Sequence, residues 1–103
     1  MESVSAYIPC YNNIDTIAEA INSIKRQTIA VGELFVIDDG STDGSAEAVE
    51  SMGVRVIRNE RNLGRGTVRA RAMQEARNEL VVSCDAGAVL DPDFINSEPT
   101  TTI

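Results

Sequence analysis

Two adjacent carboxylates, Asp38 and Asp39, follow an apolar run and precede a turn of small polar residues. The run at residues 34–37 is typical of a buried strand, and residues 40–44 are typical of a turn that leads into a helix. A carboxylate in such a position accepts hydrogen bonds from a ring N–H or a sugar hydroxyl, and it is also a ligand for divalent cations. Taken alone, the pair is equally consistent with acids that only end a strand and begin a turn.

Three other strand-like segments are followed by polar residues or glycines, and these segments indicate whether the two acids belong to a binding site. These segments are residues 4–9, 54–58 and 79–84. In a parallel sheet every strand ends at the same edge, which is where such sheets bind ligands. The residues that follow the four predicted strands are 9–12, 38–41, 62–64 and Asp85. We therefore expect them to form one polar site.

Amphipathic patterns between the strands predict three helices. The first spans about residues 15–27, and Thr16 with Glu19 forms its capping box. The second is capped by Ser41 or Thr42, and the third reaches about residue 77. The apolar residues expected to face the core from the second and third helices are Ala46, Val49, Met52, Val68, Ala72, Met73 and Ala76.

The alternation of strands and helices predicts an α/β fold with a parallel sheet of about four strands. We expect the strand order 3-2-1-4, with right-handed crossovers and helices on both faces. At 103 residues the chain has room for one domain. We assign residues 1–95 to this domain, with a last helix beginning at residues 91–94, and residues 96–103 to an irregular tail.

The charge of the chain argues against nucleic acid and anionic membranes as partners. The formal net charge is −7, whereas both partners require the neutralisation of phosphates by Lys and Arg. Seven of the nine basic residues nevertheless lie between positions 55 and 77. One or two of these arginines are candidates for contact with an anion, and Arg65 and Arg69 share one helix face because they are four residues apart.

The chain contains no histidine and two cysteines, Cys10 and Cys84. This composition excludes histidine-based catalysis and zinc sites of the usual type. The cysteines end strands that are neighbours in the expected order, so we interpret them as two reduced, buried thiols that lie close together. The amino terminus has no basic, apolar leader and no apolar run is as long as a membrane span, so we expect a cytoplasmic location.

Four motifs resemble, in order, the motifs of family 2 glycosyltransferases. They are Ile8-Pro-Cys-Tyr-Asn12, residues 36–44, Arg61-Asn-Leu-Gly64 with Arg69, and Asp85-Ala-Gly87 followed by Leu90-Asp-Pro-Asp-Phe94. The resemblance extends from residue 4 to about residue 95, and it implies a Rossmann-like GT-A domain that binds a UDP- or GDP-linked sugar. A competing dinucleotide fingerprint at residues 64–69 fits less well, because its third glycine is replaced and it follows a loop rather than a strand.

The resemblance also implies roles for individual residues. The turn at residues 9–12 lines the nucleoside pocket, Asp39 bonds to the base, and Arg69 lies near the nucleotide. Asp85 reaches the ribose or the metal region. Of the two adjacent acids themselves, Asp39 is the better candidate for ligand contact and Asp38 for holding the turn. The expected nucleotide-binding residues are Pro9, Tyr11, Asn12, Asp38, Asp39, Ser41, Asn62, Gly64, Arg69 and Asp85.

A divalent cation, Mg²⁺ or Mn²⁺, is also implied by the resemblance. Asp85 matches the first acid of the Asp-X-Asp motif, but the second acid falls at Gly87, which has no side chain. The site then has one carboxylate fewer for an octahedral metal, and this argues against metal binding at Asp85. Asp91 and Asp93 follow in sequence, and we interpret them as residues that begin a helix.

The acceptor-binding half and the catalytic base of the family come after the Asp-X-Asp motif, close to where this sequence stops. No residue can be assigned as the base, so we expect sugar transfer only if an acceptor half completes the domain. The alternatives are a non-catalytic nucleotide-binding module and a self-associating remnant of such an enzyme. We also expect a homo-oligomer through the tail or the unpaired edge at residues 79–85.

Overall fold

The structure, a computed structural model, describes residues 4–27 and 31–87. Strands and helices alternate along the chain as the sequence predicts. The elements are β1 (Val4–Cys10), α1 (Ile17–Lys25), β2 (Glu33–Asp39), α2 (Ser45–Ser51), β3 (Arg55–Asn59), α3 (Arg65–Glu75) and β4 (Leu80–Ser83). The predicted helix start at residues 91–94 and the predicted tail at residues 96–103 lie outside the described residues.

The four strands form one parallel sheet in the order β3-β2-β1-β4, which confirms the predicted order. Cys10 is paired with Asp38, and Asp39 with Asn59, so the last residues of the three strands lie side by side. β1 and β2 are longer than predicted, and both acids belong to β2 rather than to the turn that follows it.

Helices cover both faces of the sheet, because successive strand residues point to opposite sides. Ile8 and Val36 pack in one cluster with Ile21 of α1 and Val49 of α2. The other cluster contains Tyr7, Phe35, Ile37 and Val81 of the strands with Val68 and Ala72 of α3. Met73 is 42% exposed, so the prediction that it faces the core is wrong. The reason is helical geometry, since Val68, Ala72 and Ala76 follow one four-residue stripe and Met73 lies off it.

Both predicted side-chain caps are wrong. Thr16 precedes α1 without a capping bond, and its hydroxyl instead donates to the carbonyl oxygen of Asn13 at 3.5 Å. Before α2 the capping position is Gly44, in a left-handed conformation with φ of 90°. The carboxylate of Asp43 accepts the backbone N–H of Ser45 at 3.0 Å, and this leaves the hydroxyl of Ser41 for the loop after β1.

Candidate functional site

A cleft of about 730 Å³ opens at the carboxyl edge of the sheet. It is lined by residues at or after the ends of the four strands and by the first turns of α3. The lining residues are Tyr7, Pro9, Cys10, Tyr11, Asn13, Asp39, Asn62, Gly64, Arg65, Val68, Arg69, Ser83, Asp85 and Ala86. Seven of the ten residues predicted from the sequence are among them, and the exceptions are Asn12, Asp38 and Ser41.

Asn12 and Ser41 join the loops that follow β1 and β2. The backbone N–H of Asn12 donates to Ser41 Oγ at 2.9 Å, and the N–H of Thr42 donates to Asn12 Oδ1 at 2.8 Å. Asn12 adopts φ of 53°, a left-handed conformation that Asn tolerates better than most residues. These bonds fix the position of the loop that carries Tyr11.

Asp38 lies beneath the cleft rather than in its lining. Its side chain is 2% exposed, and Oδ2 accepts the backbone N–H of Ser41 at 3.0 Å, so it holds the turn after β2. Its other oxygen, Oδ1, has no hydrogen-bond partner among the described residues. Burial, together with the charge of Asp38, raises the pKa of the neighbouring Cys10 thiol.

Asp39 organises the loop after β3. Oδ1 accepts bonds from Asn59 Nδ2 at 2.8 Å and the backbone N–H of Leu63 at 3.0 Å, while Oδ2 accepts the N–H of Gly64 at 3.0 Å. Burial alone would raise the pKa of Asp39, but the three hydrogen bonds outweigh it and lower the pKa below its ordinary value. A carboxylate oxygen accepts up to two bonds, so Oδ2 keeps one acceptor site for a ligand.

Gly40 brings the same loop close to the end of β2. Its φ is +83°, and a Cβ atom there would lie 2.5 Å from the carbonyl carbon of Arg61. Only glycine therefore permits this approach. Asn59 is a partner of Asp39 that the sequence motifs did not identify, although its place at the end of the neighbouring strand is a usable signal.

Arg65 and Arg69 place two guanidinium groups along the cleft. Both side chains are exposed, and both belong to the first turns of α3, directly after Gly64. The structure therefore brings together the helix start and the two arginines that the sequence places on one face.

Asp85 follows β4 and is exposed in the cleft. Its Oδ1 accepts the backbone N–H of Gly87 at 2.7 Å. Among residues 4–27 and 31–87, no group of three or more acids, histidines or cysteines is placed to hold a metal ion. Among the described lining residues the one other carboxylate is Asp39, which already accepts three hydrogen bonds. These residues do not fit a divalent cation, and Asp91 and Asp93 lie outside the described residues.

Cys10 and Cys84 are both buried and free, and they belong to the same core cluster. Burial raises the pKa of Cys84 to about 11. Their structure fits the interpretation as reduced core thiols. In the part of the chain that the structure describes, no helix combines the length and apolar character needed to cross a membrane.

A parallel sheet of order 3-2-1-4, with a polar cleft at its carboxyl edge, defines a nucleotide-binding type of α/β domain. Residues 5–97 match the family model of Glycosyl transferase family 2. The chain therefore belongs to this family, and its sheet is the GT-A fold that the sequence motifs imply.

Characterised relatives agree with this assignment. The poly-beta-1,6-N-acetyl-D-glucosamine synthase of Staphylococcus epidermidis is 27% identical over 97 residues, which are 90% of this chain and 24% of the synthase. The cholesterol galactosyltransferase of Borreliella burgdorferi is 33% identical over 86 residues, which are 80% of this chain and 24% of that enzyme. The chain thus spans about a quarter of the length of these relatives.

Solved structures share the fold. TarS 1-349 of S. aureus, in complex with UDP, is 28% identical with a TM-score of 0.83, and the match covers 94% of this chain and 31% of TarS. The mannosyltransferase PcManGT of Pyrobaculum calidifontis, in complex with GDP-Man and Mn²⁺, is 27% identical with a TM-score of 0.80. That match covers 85% of this chain and 28% of the mannosyltransferase.

Proposed function

We propose that this chain is the part of a family 2 glycosyltransferase that binds the nucleotide-sugar donor. The observation that carries the proposal is the cleft itself, which brings Asp39, Gly64, Arg69 and Asp85 together from separate elements. The complexes of TarS with UDP and of PcManGT with GDP-Man support a nucleoside diphosphate as the ligand class.

Each lining group has a matching part of such a ligand. Pro9 and Tyr11 form the wall against which the nucleoside packs, and the free acceptor site of Asp39 Oδ2 takes a ring N–H of the base. Asp85 accepts a hydroxyl of the ribose, and Arg69 bonds to the phosphates. Asn12, Asp38 and Ser41 act behind this surface by fixing the loops.

Transfer of the sugar needs more than this cleft. The acceptor hydroxyl must lose a proton to a general base as it attacks the anomeric carbon, and we assign no described residue to that role. We therefore propose that residues 1–95 bind the donor and that transfer requires an acceptor site contributed from elsewhere. We also propose a cytoplasmic location, in which the two buried cysteines stay as free thiols.

Calorimetric titration of the 103-residue chain with UDP and GDP tests the proposal. We expect saturable binding of at least one of them, weakened by Asp85→Asn and by Arg69→Gln. Arg77→Gln is the matched control, because Arg77 pairs with Glu33 away from the cleft lining. If neither nucleotide binds at millimolar concentration, the chain is not a donor-binding domain.

We also propose that the chain forms a homodimer through β4. Among the described strands, β4 pairs only with β1, and such an edge is a template for pairing with another strand. Light scattering at tens of micromolar should give the mass of two chains. A monomeric mass would contradict the proposal.

A further inference from the structure

We infer that Arg65 and Arg69 hold the diphosphate of the nucleotide in this chain in place of a divalent cation. The inference rests on the proposed function, because it names what binds one part of the same ligand. Three observations carry it: the acids of the cleft, the arginines of the cleft, and the space at Gly87.

The acids of the cleft are too few and too engaged to hold a metal. Asp39 is occupied by Asn59 Nδ2 and two backbone N–H groups, and one oxygen of Asp85 accepts a bond from Gly87. Octahedral metals enter nucleotide sites through one or two carboxylates together with the phosphates, so Asp85 alone meets only the lower limit of this requirement. The described cleft therefore offers a metal little beyond one exposed oxygen of Asp85.

The two arginines of the cleft are unpaired among the described residues, whereas most arginines between positions 55 and 77 form ion pairs. The described arginines in ion pairs are Arg55, Arg58, Arg71 and Arg77, whose partners are glutamates. Arg65 and Arg69 form no ion pair or hydrogen bond with any residue in the described ranges. Two unpaired guanidinium groups therefore face a cleft that contains two carboxylates.

The spacing of these arginines suits two linked phosphates. Residues four apart on a helix have Cβ atoms roughly 5–6 Å from each other, so both side chains reach the same ligand. A guanidinium group bonds to phosphate through two parallel N–H donors, which gives both charge and orientation. Asp39 accepts its three hydrogen bonds from uncharged N–H groups and forms no ion pair with either arginine among the described residues, so both guanidinium groups remain available to the ligand.

Gly87 shows that the missing acid is not imposed by the backbone. Within residues 4–27 and 31–87, a Cβ atom at this position would meet only Asp85 Oδ1, at 3.4 Å, which is an ordinary contact. Gly87 is not one of the glycines with a positive φ, so its backbone conformation does not require glycine. An aspartate can therefore be introduced here, and the variant Gly87→Asp tests the role of the missing carboxylate directly.

Titrations with uridine and UDP, in EDTA and then with MnCl₂, separate the two parts of the site. In EDTA we expect UDP to bind at least tenfold more tightly than uridine, with less than a twofold change on adding Mn²⁺. Arg65→Gln and Arg69→Gln should each weaken UDP binding about tenfold, a ratio that corresponds to about 1.4 kcal/mol. Uridine binding should stay unchanged in both variants, which also shows that they are folded.

Arg61→Gln is the control, because it makes the same change of charge at an exposed arginine outside the cleft lining. We expect it to leave the affinity for UDP within twofold. Gly87→Asp should make UDP binding depend on Mn²⁺ by fivefold or more.

Two results would overturn the inference in distinguishable ways. In the first, uridine binds the wild type, but UDP binds more tightly than uridine only when Mn²⁺ is present, or Mn²⁺ raises the affinity of the wild type for UDP as much as that of Gly87→Asp. The arginines then do not replace the metal, and the donor-binding function stands. If neither uridine nor UDP binds under any condition, the proposed function fails and the inference fails with it.

Discussion

Replacement of Asp39 by asparagine tests whether this carboxylate holds the loop after β3. The native side chain accepts three hydrogen bonds, two at Oδ1 and one at Oδ2. Asparagine offers one carbonyl oxygen, so in either orientation its NH₂ group faces at least one N–H donor. The best arrangement keeps the bonds from Asn59 and Leu63 and loses the bond from Gly64.

The cost follows from these contacts. Losing one charge-assisted bond costs about 1.5–3 kcal/mol, and turning the other two into neutral bonds adds about 1 kcal/mol, which gives roughly 2.5–4 kcal/mol. Asp39 is 5% exposed, so its three hydrogen bonds lie largely out of bulk water. Urea denaturation of wild type and Asp39→Asn at pH 7 measures this difference in the free energy of unfolding.

Asp85→Asn is the matched control. It makes the same change of charge at an exposed carboxylate, and its carbonyl oxygen can still accept the N–H of Gly87. We expect it to change the free energy of unfolding by less than about 0.5 kcal/mol.

The pH dependence has a defined sign. The pKa of Asp39 is lowered by folding, so its ionised form stabilises the native state above the ordinary carboxyl value of 3.8. This stability is lost as the pH falls through the lower, native value. The difference in the free energy of unfolding between wild type and Asp39→Asn should have its full size at pH 7 and become smaller below pH 3.8. A gap under about 0.5 kcal/mol at pH 7, or one no larger than that of Asp85→Asn, would refute the reasoning.

Two further predictions concern the backbone and the core thiols. Gly40→Ala should prevent stable folding or displace the loop, because its Cβ would lie 2.5 Å from the backbone of Arg61. Gly44→Ala is the control, since its Cβ meets nothing within 4 Å and the left-handed conformation should cost only about 1 kcal/mol. Thermal denaturation compares the two variants, and equal melting temperatures would contradict the contact at Gly40. Cys10 and Cys84 should resist iodoacetamide at pH 8 in the native chain and react in urea, because both thiols are buried and burial raises their pKa values. Mass spectrometry measures the labelling. Rapid labelling of the native chain would contradict the prediction by showing that the thiols are accessible.

The sequence predicts the sheet of this protein better than it predicts the turns. Strand order and helix faces follow from apolar periodicity, which a long buried stripe specifies many times over. The caps at Thr16 and Ser41 are wrong because a single hydroxyl has several possible partners, and its choice depends on which loop lies beside it. Ser41 bonds to Asn12, twenty-nine residues earlier in the chain, and no local pattern around Ser41 indicates that contact.

The same distinction holds for the candidate site. That Asp39 and Asp85 share one edge follows from parallel strands, and both line the cleft. That Asp39 is bonded to Asn59, Leu63 and Gly64 does not follow, because those bonds depend on the path of the loop after β3. The position of Asp38 beneath the lining, rather than in it, depends on the pleat of β2.

The central place of β1 in the sheet has a consequence for how the chain folds. β1 is made before the other three described strands, yet it pairs on one side with β2 and on the other with β4, where Val4 meets Leu80. The first three strands can assemble early, but one edge of β1 stays open until almost all the described chain has been made. Such long-range pairing slows folding and leaves an exposed edge in the nascent chain. We expect β4 docking to be the late step, and the stage at which newly made chains are most prone to aggregate.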